Sequence, residues 1–256
     1  MLEFFKYQGT GNDFVLIDNR ESNFKNDTKT VKLLCDRKFG IGADGLILLQ
    51  QPKQPTDDFE MVYFNADGNQ SSMCGNGGRC LVHFAHSLKI FENACEFTAV
   101  DGKHSAHFKG NEIALKMSDV KKIQKSEDHL FLDTGSPHHI EFVDSLDTFD
   151  VAIKGTALRN SSTYREKGVN VNFVELQKNG ISVRTFERGV EGETLSCGTG
   201  VTAAAIATHA AGKTNKTEIA VKTLGGNLSV RFSKQGGGYS EVELIGPATP
   251  VFKGII

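Results

Sequence analysis

The chain has 256 residues, 39% of them hydrophobic and 23% charged, with a formal net charge of −2. At about 150 residues per domain, that length is one large domain or two ordinary ones, with ample apolar material for a core. A near-neutral balance excludes the electrostatic footprint of a nucleic-acid or anionic-membrane binder, and no apolar run approaches the ~18 residues of a membrane span. The opening Met1-Leu2-Glu3-Phe4-Phe5-Lys6 lacks a basic region followed by an apolar one, so a cytoplasmic protein is expected. Five cysteines (35, 74, 80, 95, 197) are an odd number spread over a long chain, which predicts reduced thiols and no disulfide framework.

In chain order, a helix is expected over Thr30 to Arg37. The string Gly40-x-Gly42-x-x-Gly45 follows it and leads into the apolar run Leu46 to Leu49. That string matches a dinucleotide fingerprint only as letters, because the fingerprint needs strand, loop and then helix. It reads as a glycine-rich turn entering a strand. Next comes Cys74-Gly75-Asn76-Gly77, followed by an apolar stripe at helical spacing through Leu81, Val82, Phe84, Ala85 and Leu88. A strand is expected near Asn111 to Met117, and the polar run Ser118 to Asp128 reads as a linker.

The second half repeats the first. Cys197-Gly198-Thr199-Gly200 restates the C-G-x-G turn, and Val201 to Ala211 is apolar almost all round, as in a helix buried on every side. Gly135 to Asp144 is a weaker counterpart of Gly11 to Asp18, and Phe186-Glu187-Arg188-Gly189 precedes the second cysteine as Phe64-Asn65-Ala66-Asp67-Gly68 precedes the first. The second half ends on a strand near Tyr239 to Ile245. A repeat this long is no solenoid. Two homologous half-domains are expected, 1–118 (with 248–256 returning to it) and 119–247, each with strands around one central helix.

A cysteine at the first turn of a helix lies in the positive end of the macrodipole, which favours its thiolate. The glycines beside it let backbone N–H groups approach an anion, here a carboxylate. Two such turns facing one carbon would put a thiolate on one face and a thiol on the other, the arrangement needed to invert an α-carbon by proton transfer. Standing alone, one C-G-x-G is most simply a small buried cysteine at a cap. Two copies in matching context argue for chemistry. Cys35, Cys80 and Cys95 lack that context and read as packing residues. His83 and His86 have no further ligand at metal spacing, and His104, His107 and His139 have no evident partner in the sequence.

The segments Asn65-Ala66-Asp67-Gly68 with Met73 to Cys80, and Phe186 to Gly189 with Glu193 to Gly200, resemble the two signatures of the diaminopimelate epimerases. Lys6 to Phe14, Gly40 to Asp44, Gly135 to His138 and Val169-Asn170 fall in that family's order, so the resemblance covers essentially the whole chain. It implies an α/β (α+β) fold of two pseudo-symmetric half-domains, each a curved sheet around a central helix, with the active site in the cleft between them. It implies a cofactor-independent, metal-free epimerase interconverting LL- and meso-2,6-diaminopimelate for lysine and peptidoglycan precursors, working as a homodimer. By the same resemblance Cys74 and Cys197 are the acid/base pair, and His138 and Glu187 assist catalysis. Gly75, Asn76, Gly198 and Thr199 bind the reacting carboxylate, and Asn12, Asn65, Ser136, Asn170, Glu187 and Arg188 hold the rest of the substrate.

Three positions depart from the family pattern. Gly45 stands where some members have a substrate-contacting Gln, Ser136 where many have Asn, and Phe252 where members often carry a dimer-interface Tyr. Two other readings compete. A proline racemase-like enzyme would typically have His at position 76 and would leave Arg188 and Glu187 without work. A non-catalytic amino-acid binding module would need only the N–H groups and neither thiol.

Overall fold

The computed structural model describes residues 1–256, which form two compact units, Met1–Leu115 with Gly246–Ile256 and Lys116–Ile245. The first unit begins with strands β1 (Glu3–Gly9) and β2 (Asn12–Asp18), an antiparallel hairpin, then helix α1 (Thr28–Cys35). Strand β3 (Gly45–Gln50) returns parallel to β2, β4 (Phe59–Asn65) runs antiparallel to β3, and the short β5 (Gln70–Ser71) pairs with β4. Helix α2 (Gly75–Ser87) then crosses to β6 (Ala94–Ala99), parallel to β4, and β7 (Gly102–Lys109) and β8 (Glu112–Lys116) continue as a meander.

The second unit repeats that order of elements after one additional leading strand. Its strands are β9 (Ile123–Lys125), β10 (Leu130–Asp133) and β11 (Pro137–Phe142), followed by helix α3 (Val151–Arg159). Then come β12 (Asn170–Gln177), β13 (Gly180–Glu187), β14 (Gly192–Thr194), helix α4 (Gly198–Ala210), β15 (Glu218–Thr223), β16 (Gly226–Gln235) and β17 (Gly238–Gly246). The same two parallel pairings recur, β11 with β12 and β13 with β15. The final strand, β18 (Thr249–Ile255), belongs to the first unit and pairs antiparallel with β1. Residues 118–128 are not a plain linker, since they contain β9 and a bridge from Val120 to Tyr239.

The layers explain the apolar runs. In β3, Leu46 and Leu48 join Val31, Leu34 and Cys35 of α1, while Ile47 lies against Gly77 of α2. A strand covered by helices on both faces cannot alternate apolar with polar, so 46–49 is continuous. In β12, Val171 and Phe173 pack with Val151 of α3. The intervening Asn170 and Asn172 therefore belong to the opposite face, on the side of α4.

The helix starts divide into two kinds. Asp27 caps α1 by accepting from Thr30 N at 3.1 Å, and Asp150 caps α3 by accepting from Ile153 N at 2.9 Å. The Asp27 cap starts α1 two residues before the expected Thr30. Helices α2 and α4, each 13 residues long, are instead capped by Cys74 and Cys197, neither of which makes a side-chain capping bond. Cysteine is not among the residues that cap helices well. No helix is long and apolar enough to cross a membrane.

Candidate active site

In the first unit, Cys74 enters α2 in an extended conformation (φ −92°, ψ 129°), and its carbonyl accepts from Gly78 N at 2.7 Å. The first-turn N–H groups of such a helix point out of its end, toward whatever anion lies there. Cys74 Sγ donates to Asn12 Oδ1 at 3.6 Å, and the Asn76 amide donates to the same oxygen at 3.4 Å. Asp44 holds the other end of Asn12, accepting from Nδ2 at 2.7 Å. Arg37 bridges Asp44 and Asp13, at 2.8 and 2.6 Å. Burial alone would raise the Asp13 carboxyl, but hydrogen bonds from Arg37 and Lys6 outweigh it and bring it down to about 2.

Behind this turn lies Arg79, fully buried. Its guanidinium donates to Asn76 Oδ1 at 2.9 Å, to the Gly75 carbonyl at 3.3 Å and to the Pro247 carbonyl at 3.3 Å. The cation is thus tied to neutral oxygens of the very turn that carries Cys74. Asn65 stands exposed at the end of β4, in register with Gly45 of β3.

In the second unit Cys197 takes the matching conformation (φ −113°, ψ 111°), with its carbonyl accepting from Val201 N at 2.8 Å. Its thiol lies 3.5 Å from Thr199 Oγ1, and Thr134 Oγ1 donates to the Thr199 carbonyl at 2.9 Å. A Cβ at Gly200 would overlap Asn172 Oδ1 and lie 3.4 Å from Cys197 Sγ, so only glycine lets the turn settle onto β12. A second cluster centres on Ser136. Its Oγ accepts from the Asn170 amide at 2.9 Å and from the Arg188 guanidinium at 3.3 Å, and Asn170 Oδ1 accepts from Arg188 N at 2.9 Å. Glu187, one residue earlier, accepts from Thr194 Oγ1 at 2.9 Å.

His138 is fully buried on β11, paired with Asn170 of β12. Burial, reinforced by the positive charge of Arg188, pushes it down to about 3 despite a hydrogen bond with Asn172, so it is neutral at pH 7. The other cysteines behave as packing residues, because burial pushes Cys35 up to about 11 and Cys80 and Cys95 up to about 12. His139 does have partners. It bonds Tyr164 and Glu141, each at 3.0 Å, and stacks on His129.

The unit-1 turn thus gathers Cys74, Gly75, Asn76 and Asn12, and the second unit gathers Cys197, Gly198 and Thr199 in one group and Ser136, Asn170 and Arg188 in another. Four residues in these networks are not singled out by sequence alone: Arg79, Asp44, Asn172 and Tyr63. Asn172 carried one signal, an asparagine two positions from Asn170 among the apolar residues Val171, Phe173 and Val174. Tyr63 fills the space of the missing side chain at Gly45, where a Cβ would lie 2.5 Å from its ring and 3.0 Å from its hydroxyl.

Comparison with known proteins bears on this arrangement. The profile of the diaminopimelate epimerase family matches residues 4–123 and 130–251. A diaminopimelate epimerase of Flavobacterium psychrophilum is 51% identical over 255 residues, covering 98% of this chain and 99% of its own. Another, from Chlorobaculum tepidum, is 43% identical with 97% and 98% coverage. Among solved structures, a PhzF-family phenazine biosynthesis protein of Bacillus anthracis matches with a TM-score of 0.76 at 14% identity, covering 100% of this chain and 99% of its own. A hydroxyproline epimerase of Agrobacterium vitis, with bound trans-4-hydroxy-L-proline, matches with a TM-score of 0.70 at 12% identity, covering 99% and 91%. These structures share the fold, and the sequence relatives go further: the chain belongs to the diaminopimelate epimerase family.

Proposed function

We propose that the protein is an isomerase that interconverts LL- and meso-2,6-diaminopimelate by two-base proton transfer without a cofactor, in lysine and peptidoglycan precursor synthesis. The observation that carries this reading is the pair of 13-residue helices α2 and α4, each opened by a cysteine where the chain's other helices have an aspartate cap. One thiolate takes the α-proton, forming its S–H bond as the C–H bond breaks and leaving the electron pair on the carbon and its carboxylate. The other cysteine delivers its thiol proton to the opposite face, and the roles reverse for the return reaction.

In this mechanism the first-turn N–H groups of Gly75, Asn76, Gly198 and Thr199 stabilise the charge that gathers on the carboxylate. Arg188, whose guanidinium Ser136 and the Lys167 carbonyl (3.2 Å) hold, grips the distal carboxylate in this reading. Asn12, Asn65, Asn170 and Glu187 serve the amino groups and remaining oxygens, and His138 assists the proton transfer. We further propose a homodimeric, cytoplasmic enzyme. Strand β18 supports the dimer, because it offers Val251, Phe252 and Ile255 to solvent at 55%, 50% and 65% exposure.

The test is incubation with LL-diaminopimelate in deuterium oxide under reducing conditions. The expected result is α-deuterium together with meso product. Binding without exchange would support a binding module, and exchange on proline alone would support a racemase.

A further inference from the structure

The Asn172 amide is fully buried, and its neighbours fix which way it points. Nδ2 donates to the His139 carbonyl at 3.1 Å and to the Asn170 carbonyl at 3.3 Å. Oδ1 accepts from Thr185 Oγ1 at 3.0 Å. Turned over, the amide would set its oxygen against two carbonyl oxygens, a clash that the Thr185 hydroxyl, able to donate or accept, does not offset, so the NH2 group must face the carbonyls. The same Nδ2 lies 3.1 Å from Nδ1 of His138. An NH2 group offers only protons, here two shared among three acceptors, and an Nδ1–H would set hydrogen against hydrogen, so Nδ1 must present its lone pair. A neutral imidazole whose Nδ1 accepts carries its proton on Nε2.

That proton has no protein acceptor, because His138 Nε2 is buried without a hydrogen-bond partner. A buried donor left unmatched is destabilising, and such groups are rare in folded proteins without a reason. Asn172 is moreover the residue on which the Cys197 turn rests at Gly200. We propose that Asn172 is a positioning residue that holds His138 as its Nε2–H tautomer, so that this histidine enters the reaction as a hydrogen-bond donor to an acceptor supplied by the substrate complex. The proposal rests on the epimerase reading above, and its first measurement does not need that reading to be right.

The measurement is nitrogen NMR on the full chain labelled with 15N-histidine at neutral pH, with His138 assigned by the signals lost in His138→Gln. The expected spectrum has a bare Nδ1 and a protonated Nε2 at His138. Asn172→Asp supplies an acceptor in place of the donor and should move the proton to Nδ1. Its kcat should fall about 100-fold, the scale of one misplaced proton-transfer partner, with KM changed by less than about 3-fold. Should the aspartate variant fail to fold, Asn172→Ala serves instead, with mixed tautomers and a lowered kcat expected. A wild-type His138 protonated on Nδ1 or on both nitrogens overturns the proposal, and so does a variant whose tautomer moves while kcat stays. If the wild type does not turn over diaminopimelate, the functional reading fails, and the tautomer is then decided by the spectrum alone.

Discussion

The thiol of Cys74 meets the side-chain oxygen of Asn12 at 3.6 Å, while the nitrogen of that same amide is held by Asp44 at 2.7 Å. Asp44 thereby fixes the orientation of the amide beside the Cys74 sulfur. Asp44→Ala should let the Asn12 amide rotate, lowering kcat/KM about 10-fold, the equivalent of one hydrogen bond of roughly 1.4 kcal/mol. Steady-state kinetics on the folded variant checks this, and unchanged kcat/KM would remove Asp44 from the site.

The cysteine caps invite a test in which stability and activity move in opposite directions. Serine caps a helix well, and replacing a poor cap with a good one contributes about 0.5–1 kcal/mol. Cys74→Ser and Cys197→Ser should each melt at or above the wild-type temperature while epimerisation falls below detection, since a hydroxyl is a far weaker acid than a thiol. Calorimetry with the deuterium assay reads both. Near-normal turnover in either variant would sink the two-thiol mechanism.

Much of this was legible in the sequence because it is written in periodicity and in repeated words. The stripe after Cys74 and the all-apolar run after Cys197 became α2 and α4, with Leu88 falling at the C-cap and only partly covered. The continuous run 46–49 marked a strand covered on both faces. What stayed hidden depends on partners far apart in the chain. Nothing local says that Asp44 will hold Asn12, or that Tyr63 will occupy the space at Gly45. Asn172 lies between the apolar Val171 and Phe173, and its purpose appears only once Thr185, His138 and Gly200 surround it. Strand β9 was missed for a related reason, because Ile123-Gln124-Lys125 is mostly exposed and has little apolar pattern of its own.

Gly45 is closed to any side chain as the protein stands. An added Cβ would lie 2.5 Å from the Tyr63 ring and 2.6 Å from the Phe64 carbonyl. Gly45→Ala should therefore destabilise the first unit by about 1–3 kcal/mol, the usual range for overpacking. Combining it with Tyr63→Ala should recover only part of the loss, because the clash with the backbone oxygen remains. Chemical denaturation of both variants measures this, and full recovery in the double variant would show that the ring alone closes the position.

Ser136 links Asn170 and Arg188 through one oxygen. Ser136→Ala leaves both donors to find water, and the guanidinium loses a fixed orientation while keeping its charge. The expectation is a KM for diaminopimelate raised about 5- to 10-fold, roughly the net worth of one ordinary hydrogen bond, with kcat little changed. Arg188→Lys should be more damaging, because a point charge cannot reproduce a two-pronged grip on a carboxylate. A Ser136→Ala effect confined to kcat would place this cluster at the reacting carbon and not at the distal end.

The pH dependence of stability tests the burial of His138. Its folded pKa of about 3 lies below the unfolded value of 6.5, because burial first, and the nearby Arg188 charge second, oppose protonation. Between those values the unfolded chain binds a proton that the folded chain refuses, so stability is lost as pH falls through that window and is fully regained above it. The slope attributable to this one group approaches about 1.4 kcal/mol per pH unit. Asp13, whose carboxyl is brought down to about 2 from 3.8, acts in the same direction but only below pH 4, and burial also lowers His83 and His209, so the His138 share is the difference between wild type and a variant that lacks it. Urea unfolding of wild type and His138→Gln at pH 7, 6, 5 and 4 should give curves that converge toward acid, the wild type falling more steeply. Parallel curves would mean that His138 is protonated in the folded protein, contrary to its burial.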